Sequence, residues 1–281
     1  VNQDMSWMVR DIVDNVPGAR HAVVLSADGL PRGATEGLAE KDVRTISAAM
    51  SGMQALSKAT AHFAGAAAER RWNQTVVEFT EGWAFLIGAG QGAYLAAAAD
   101  PDVDLQQISF RMHRLVARLG ENLTAPPRVN GENAAEAEQR AARLSASAAP
   151  AGFVLPELDK VIAEVPGARH AVLLGSHGLP RGASSGMGQD LADTISAAMT
   201  GIQAYSRATA QFVGDPDFQW RQTVIEFQHG WIFLIAAGDG AFLAASAAPD
   251  CDIDRFTARL ADAVPRLGVG GASGARRSGD A

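Results

Sequence analysis

The sequence predicts an α+β protein built from two copies of one αββαβββα domain, each with a five-stranded antiparallel sheet, paired as an intramolecular pseudo-dimer. Three observations carry that expectation. The octapeptide VPGARHAV stands at 16–23 and again at 165–172. It belongs to a gap-free repeat of 16–62 on 165–211, in which 29 of 47 positions are identical, and after a one-residue deletion 72–97 repeat at 220–245 with 18 of 26 identical. Each copy is about 115 residues, too long for a solenoid unit that needs neighbours to bury its core and long enough for a domain. Finally, the strand candidates are joined by connections of hairpin length, which demand antiparallel pairing.

The elements of copy one follow from local pattern. Met8, Val9, Ile12, Val13 and Val16 recur at helical spacing, and Pro17 with Gly18 stops that helix. HAVVLSA is β-branched and apolar, Asp28 and Gly29 form a turn, and LPRGAT returns as the second strand of a hairpin. A second helix is predicted over 39–62. QTVVEFT, GWAFLIG and AYLAAAA supply three more strands, separated by turns at Glu81–Gly82 and at 90–92. Leu105, Ile108, Met112, Leu115, Val116 and Leu119 share one face of a closing helix over 104–119. The expected boundaries are domain one over 4–123, a flexible linker over 124–151, domain two over 152–267 and a disordered Gly/Ser-rich tail over 268–281. The linker is rich in Ala, Pro, Glu and Arg, with a short polar helix conceivable at ENAAEAEQRAARL.

Composition narrows function. A net charge of −7 without a basic face argues against nucleic-acid binding. The longest apolar run, 83–99, is interrupted by Gly88, Gly90, Gln91 and Gly92 and is no membrane-spanning helix. One cysteine, Cys251, excludes an internal disulfide. Residues 1–10 lack the form of a secretory leader. A cytoplasmic location is expected, with recruitment to a membrane through a partner left open.

The long second helix carries two stripes. Val43, Ile46, Met50, Met53 and Leu56 are the large apolar positions expected on the sheet. Beside them run Thr45, Ala48, Gly52, Ala55 and Ala59, kept in copy two as Thr194, Ala197, Gly201, Ala204 and Ala208. A mid-helix glycine costs about 1 kcal/mol relative to alanine, so its retention in both copies points to close helix packing. This small-residue stripe is expected to pair the two domains.

With VPGARHAVVLSADGLPRGAT, KDVRTISAAMSGMQALSKAT, WNQTVVEFTEGWAFLIGAGQGAYLAAAA and their repeats, the chain resembles the roadblock / dynein light chain domains, most closely those of the actinobacterial branch. The resemblance covers both copies and leaves out linker and tail. It implies an αβα sandwich with helices on both sheet faces, domains that dimerise through an edge strand and the long helix, and a role in binding or regulating Ras-like small GTPases, alone or within an assembly that includes a sensor-kinase-like protein. The doubling departs from the usual single domain and supplies the partner domain in the same chain.

Catalytic chemistry is not expected, nor a cofactor or metal. GAGQG at 88–92 is followed by another strand rather than a helix, so it lacks the context of a phosphate-binding loop. Asp28, Glu81 and His62 become His177, His229 and Gln211 in copy two, as surface drift would have it. Recurrent polar residues, among them Arg20/Arg169 and Glu78/Glu226, are better candidates for partner contact. The residues expected to meet a partner are Arg44, Ser47, Ser51, Gln54 and Lys58 on the first long helix, Asp193, Ser196, Thr200, Gln203 and Arg207 on the second, and Arg32 and Arg181 in the hairpins. The leading reading is a non-enzymatic regulator or scaffold. A GTPase-activating or nucleotide-exchange protein, and a structural adaptor without a GTPase, are the alternatives.

Overall fold

The computed structural model describes residues 6–65, 71–90, 92–122 and 153–267. The expected linker (124–151) and tail (268–281) lie outside them. Copy one contains α1 (Ser6–Asn15), β1 (Ala19–Ser26), β2 (Pro31–Ala34), α2 (Glu40–Ala59), α3 (Ala61–Ala64), β3 (Trp72–Phe79), β4 (Gly82–Gly88), β5 (Ala93–Ala99) and α4 (Leu105–Asn122). Copy two repeats the order as α5 (Pro156–Glu164), β6 (Ala168–Gly175), β7 (Pro180–Ala183), α6 (Gln189–Ala208), α7 (Ala210–Val213), β8 (Trp220–Phe227), β9 (Gly230–Ala236), β10 (Ala241–Ala247) and α8 (Ile253–Ala263). The two five-stranded halves join into one ten-stranded sheet of order β2-β1-β5-β4-β3-β8-β9-β10-β6-β7.

One local expectation is corrected. The long helix does not run to residue 62. The Thr60 hydroxyl donates to the Ser57 carbonyl at 2.8 Å, and Thr209 repeats this onto Ser206 at 2.7 Å, so the chain turns and starts the short helices α3 and α7. In addition the first-copy hairpin β1–β2 does not neighbour β3: β5 returns to pair with β1, which lies second from the outer edge.

The halves meet where β3 and β8 run antiparallel, with Val76 opposite Val224 at the centre. Alternation sends Thr75, Val77 and Phe79, with Thr223, Ile225 and Phe227, to the face that α2 and α6 cover. There the cores fuse into one cluster drawing on both copies. On the other face each copy keeps a core of its own, under α1 and α4 and under α5 and α8. The opposite sides of β3 and β8 carry a reciprocal polar lock. Gln74 Nε2 donates to Glu226 and Gln222 Nε2 to Glu78, both at 2.6 Å.

Above the fused core α2 and α6 cross antiparallel, Gly52 against Tyr205 and Gly201 against Leu56. A Cβ at Gly201 would lie 2.6 Å from Leu56 Cδ1, and one at Gly52 would overlap the Tyr205 ring. The short helices are exchanged: α3 packs on β9 and β10 of the other half, α7 on β4, β5 and β1. Gly82 and Gly230 admit them, since a Cβ at Gly230 would stand 2.7 Å from the Ala64 carbonyl oxygen.

The repeated octapeptide serves this exchange. Arg20, held by Asp100, donates to the Val213 carbonyl at the end of α7, and Arg169 donates to the Ala64 carbonyl at the end of α3. Each guanidinium thus satisfies a terminal helix carbonyl of the opposite domain. Beside them His21 stacks on Phe212 and His170 on Phe63, with centroids 6.4 and 6.5 Å apart. Arg20 and Arg169, expected as partner contacts, are instead interdomain clamps.

Two outcomes test this seam. Gly52→Ala should be close to neutral, because Tyr205 is partly exposed and free to swing while the helix gains about 1 kcal/mol. Gly52→Leu with Gly201→Leu should cost about 1–3 kcal/mol per site through overpacking, read from denaturant midpoints; an unchanged double variant would show that the crossing is loose. Burial first, then the adjacent Arg20 or Arg169, pulls the His21 and His170 imidazoles below their ordinary value of 6.5. The unfolded chain therefore binds protons that the folded seam refuses. This contribution to stability is complete above pH 6.5 and is lost as pH falls below it. His21→Phe with His170→Phe should flatten the stability profile below about pH 6.5, measured by urea unfolding at successively lower pH.

Candidate partner-docking surface

The outer face of the α2–α6 pair is a surface that both copies build together. Helical spacing decides what it displays. Ser47, Met50, Gln54 and Ser57 follow one another at three- and four-residue intervals and turn inward together. Ser47, Gln54, Ser196 and Gln203 are consequently buried, with relative exposures of 0%, 5%, 0% and 8%, which corrects the expectation that they form part of an exposed contact surface. Ser57 Oγ lies 3.2 Å from Thr75 Oγ1, and Ser206 Oγ 2.8 Å from Thr223 Oγ1.

Arg44, Lys58, Asp193 and Arg207 are exposed as expected. Ser51 and Thr200 are half-buried and engaged: Ser51 donates to the Ala27 carbonyl at 2.6 Å, Thr200 to the Ser196 carbonyl at 2.9 Å. Arg32 and Arg181 are exposed, but β2 and β7 are the outermost strands, so the two arginines sit at opposite ends of the sheet.

The small-residue stripe is likewise divided. Gly52 and Gly201 lie at the helix crossing. Thr45, Ala48, Ala55, Ala59, Thr194, Ala197, Ala204 and Ala208 are exposed and do not hold the domains together. At the crossing Gly52 meets Tyr205, Gly201 meets Leu56, and the Ser206 hydroxyl reaches the Met53 sulfur at 3.5 Å.

Hairpin tips extend this face. Gly29, at φ +80°, places the β1–β2 turn over Ala48 and Ser51, and Gly178, at φ +81°, places the β6–β7 turn over Ala197 and Thr200. Only glycine takes that backbone without strain, and the tight turns present Leu30 and Leu179, exposed by 62% and 61%. With Tyr205, these leucines and the outward alanines make a shallow apolar surface with charged residues at its margins.

The margins differ between copies. Lys58 Nζ lies 5.7 Å above the Tyr94 ring, and burial lowers the lysine and raises the tyrosine from their ordinary pKa values. The counterparts in copy two, Arg207 and Phe242, border a cavity of about 580 Å³ with Asp217 and Trp220.

Sequence reasoning overlooked Leu30, Leu179 and the Gln74–Glu226 and Gln222–Glu78 pairs. The last left a signal, since QTVVEF and QTVIEF place Gln and Glu on one strand face in both copies. Among the described residues, no cluster of His, Cys, Asp or Glu could hold a metal, and no helix is long and apolar enough to cross a membrane. Cys251 is buried, and desolvation raises its thiol pKa.

Each half matches a known domain family. The model of the Roadblock/LC7 domain matches residues 5–99 and 155–247. A Roadblock/LC7 domain from Streptomyces avermitilis is 29% identical, spanning 44% of this chain and 100% of its own, with a TM-score of 0.40. The gliding protein MglB from Thermus thermophilus is 18% identical over 42% of this chain and 95% of its own, at 0.36. MglB of Myxococcus xanthus is 14% identical over 40% and 89%, at 0.35. No curated protein matches at the sequence level. With one domain match in each half and the repeat fold in both, the chain belongs to the Roadblock/LC7 family.

Proposed function

We propose that this protein is a non-enzymatic regulator or scaffold that binds a Ras-like small GTPase, or the sensor-kinase-associated complex around one, on the outer face of the α2–α6 pair. The observation that carries the reading is the solvent-facing strip of Ala48, Ala55, Ala59, Ala197, Ala204 and Ala208, flanked by exposed Leu30, Leu179 and Tyr205. Alanines on a helix surface let another protein approach the backbone closely, and exposed leucines and tyrosine supply the apolar anchors of an interface. Arg44 in one copy against Asp193 in the other gives the halves different charges, so that one partner would settle in one orientation.

The test is a titration with Ras-like GTPases from the same genome, loaded with GDP or with a GTP analogue. Leu30→Asp, Ala55→Glu and Ala204→Glu should each weaken binding tenfold or more while leaving the melting temperature within about 2 °C, as surface changes do. Undiminished affinity in all three would move the interface elsewhere. Single-turnover GTP hydrolysis and nucleotide release, followed with saturating protein, separate a scaffold from an activating or exchange protein. The scaffold reading requires both rates to stay unchanged in the complex.

A further inference from the structure

We propose that the 580 Å³ cavity beside α6 is a socket for a lysine or arginine side chain of the protein that docks on the helix pair. This rests on the docking reading above and adds the chemistry of one anchor. The chain contains its own precedent. In copy one the Lys58 ammonium covers the face of Tyr94, which packs edge-on against Trp72. Copy two retains the aromatic pair, with Phe242 edge-on to Trp220 at 5.7 Å, but lacks a lysine at this place. Arg207 stands there and is exposed, while the cavity opens between it, the two rings and Asp217.

The local charge favours a cation. Arg207 and Asp217 are the charged residues lining the cavity, and two further exposed aspartates adjoin it in sequence, Asp215 beside the lining Pro216 on the loop before β8 and Asp239 beside the lining Gly240 in the β9–β10 turn. The corresponding stretch of copy one is basic, with Lys58, Arg70 and Arg71 against Glu69 in the sequence. Asp215 turns its carboxylate onto the Asp217 backbone N–H at 2.8 Å, fixing the loop that carries Asp217. A basic side chain entering the cavity would lay its stem along Phe242 and Trp220 and bring its charge to Asp217. It would combine a cation–π contact with an ion pair, and both gain from partial desolvation. The two flanks of the platform would thus read opposite features of the partner.

The socket is tested on the full chain without any GTPase, so that its failure is distinguishable from failure of the docking reading. The probes are acetyl-Gly-Lys-Gly-amide and acetyl-Gly-Arg-Gly-amide, with the norleucine peptide as neutral control, and the readout is the ring resonances of Trp220 and Phe242. Saturable shifts with a dissociation constant on the order of 1 mM are expected for the basic peptides alone, weakened at least threefold by Asp217→Asn and by Phe242→Leu. Equal shifts with norleucine, no saturation, or indifference to both variants would overturn the assignment. So would movement of the Trp220 resonance in an Arg276→Ala, Arg277→Ala variant, which would identify the occupant as the chain's own C-terminal arginines. In the GTPase titration Asp217→Lys should lower affinity tenfold or more; unchanged affinity overturns the link between socket and partner.

Discussion

Everything distinctive in this molecule depends on the antiparallel pairing of β3 with β8. Alone, either half would end its sheet in an eight-residue strand rich in Trp, Val or Ile and Phe, with unpaired backbone groups along its free side. Joining the two removes both edges and places α2 and α6 side by side, because each covers the sheet half next to the seam. The fused core then follows from geometry: side chains under two adjacent helices on one continuous sheet face have nowhere to go but against one another. The short helices add reciprocity, each leaving its own domain to be capped by an arginine of the other.

That reciprocity explains why the strongest repetition in the sequence lies where it does. Any change at Arg20, His21, Gly82, Gln74 or Glu78 must be tolerated by a surface of the opposite half, and the same holds for Arg169, His170, Gly230, Gln222 and Glu226. The pairs need not be identical for symmetry's sake. Each fulfils the same steric and hydrogen-bonding demand at one of two related places. Sharing one chain also changes the thermodynamics, since a covalent link of a few tens of residues presents the second domain at an effective concentration in the millimolar range.

Most of the fold was legible because it is written in short-range patterns: the duplication, the hairpin turns, the period-two strands and the period-3.6 helices. The break at Thr60 was not, since Ala, Thr, Ala and His in succession carry no stop signal, and the turn is fixed by the tertiary place of α3 in the other domain. The candidate surface was read less well for a related reason. Polarity predicts that Ser47, Gln54, Ser196 and Gln203 face solvent, yet helical phase puts them beside Met50 and Met199, and serine is small enough to be buried there. Conversely, alanines that look like packing residues are exposed, while Gly52 and Gly201 lie at the helix crossing. Polarity and size each predicted a direction, and rotational position about the helix axis overrode both.

A tandem differs from a homodimer in one respect that bears on function. In a homodimer every substitution appears twice, so a surface across the two-fold axis cannot offer one side a cation and the other an anion. Here the seam constrains residues in matched pairs, while positions beyond it are free to part company. Lys58 over Tyr94 and Arg207 beside Phe242 occupy equivalent places, yet one aromatic face is covered from within and the other borders an open cavity that Asp217 also lines. Arg44 and Asp193 diverge in the same way. The matched residues therefore record how the halves hold together, and the unmatched ones mark where a partner could tell them apart. A partner without two-fold symmetry of its own gains most from such a surface, because only one of its two possible placements satisfies both flanks.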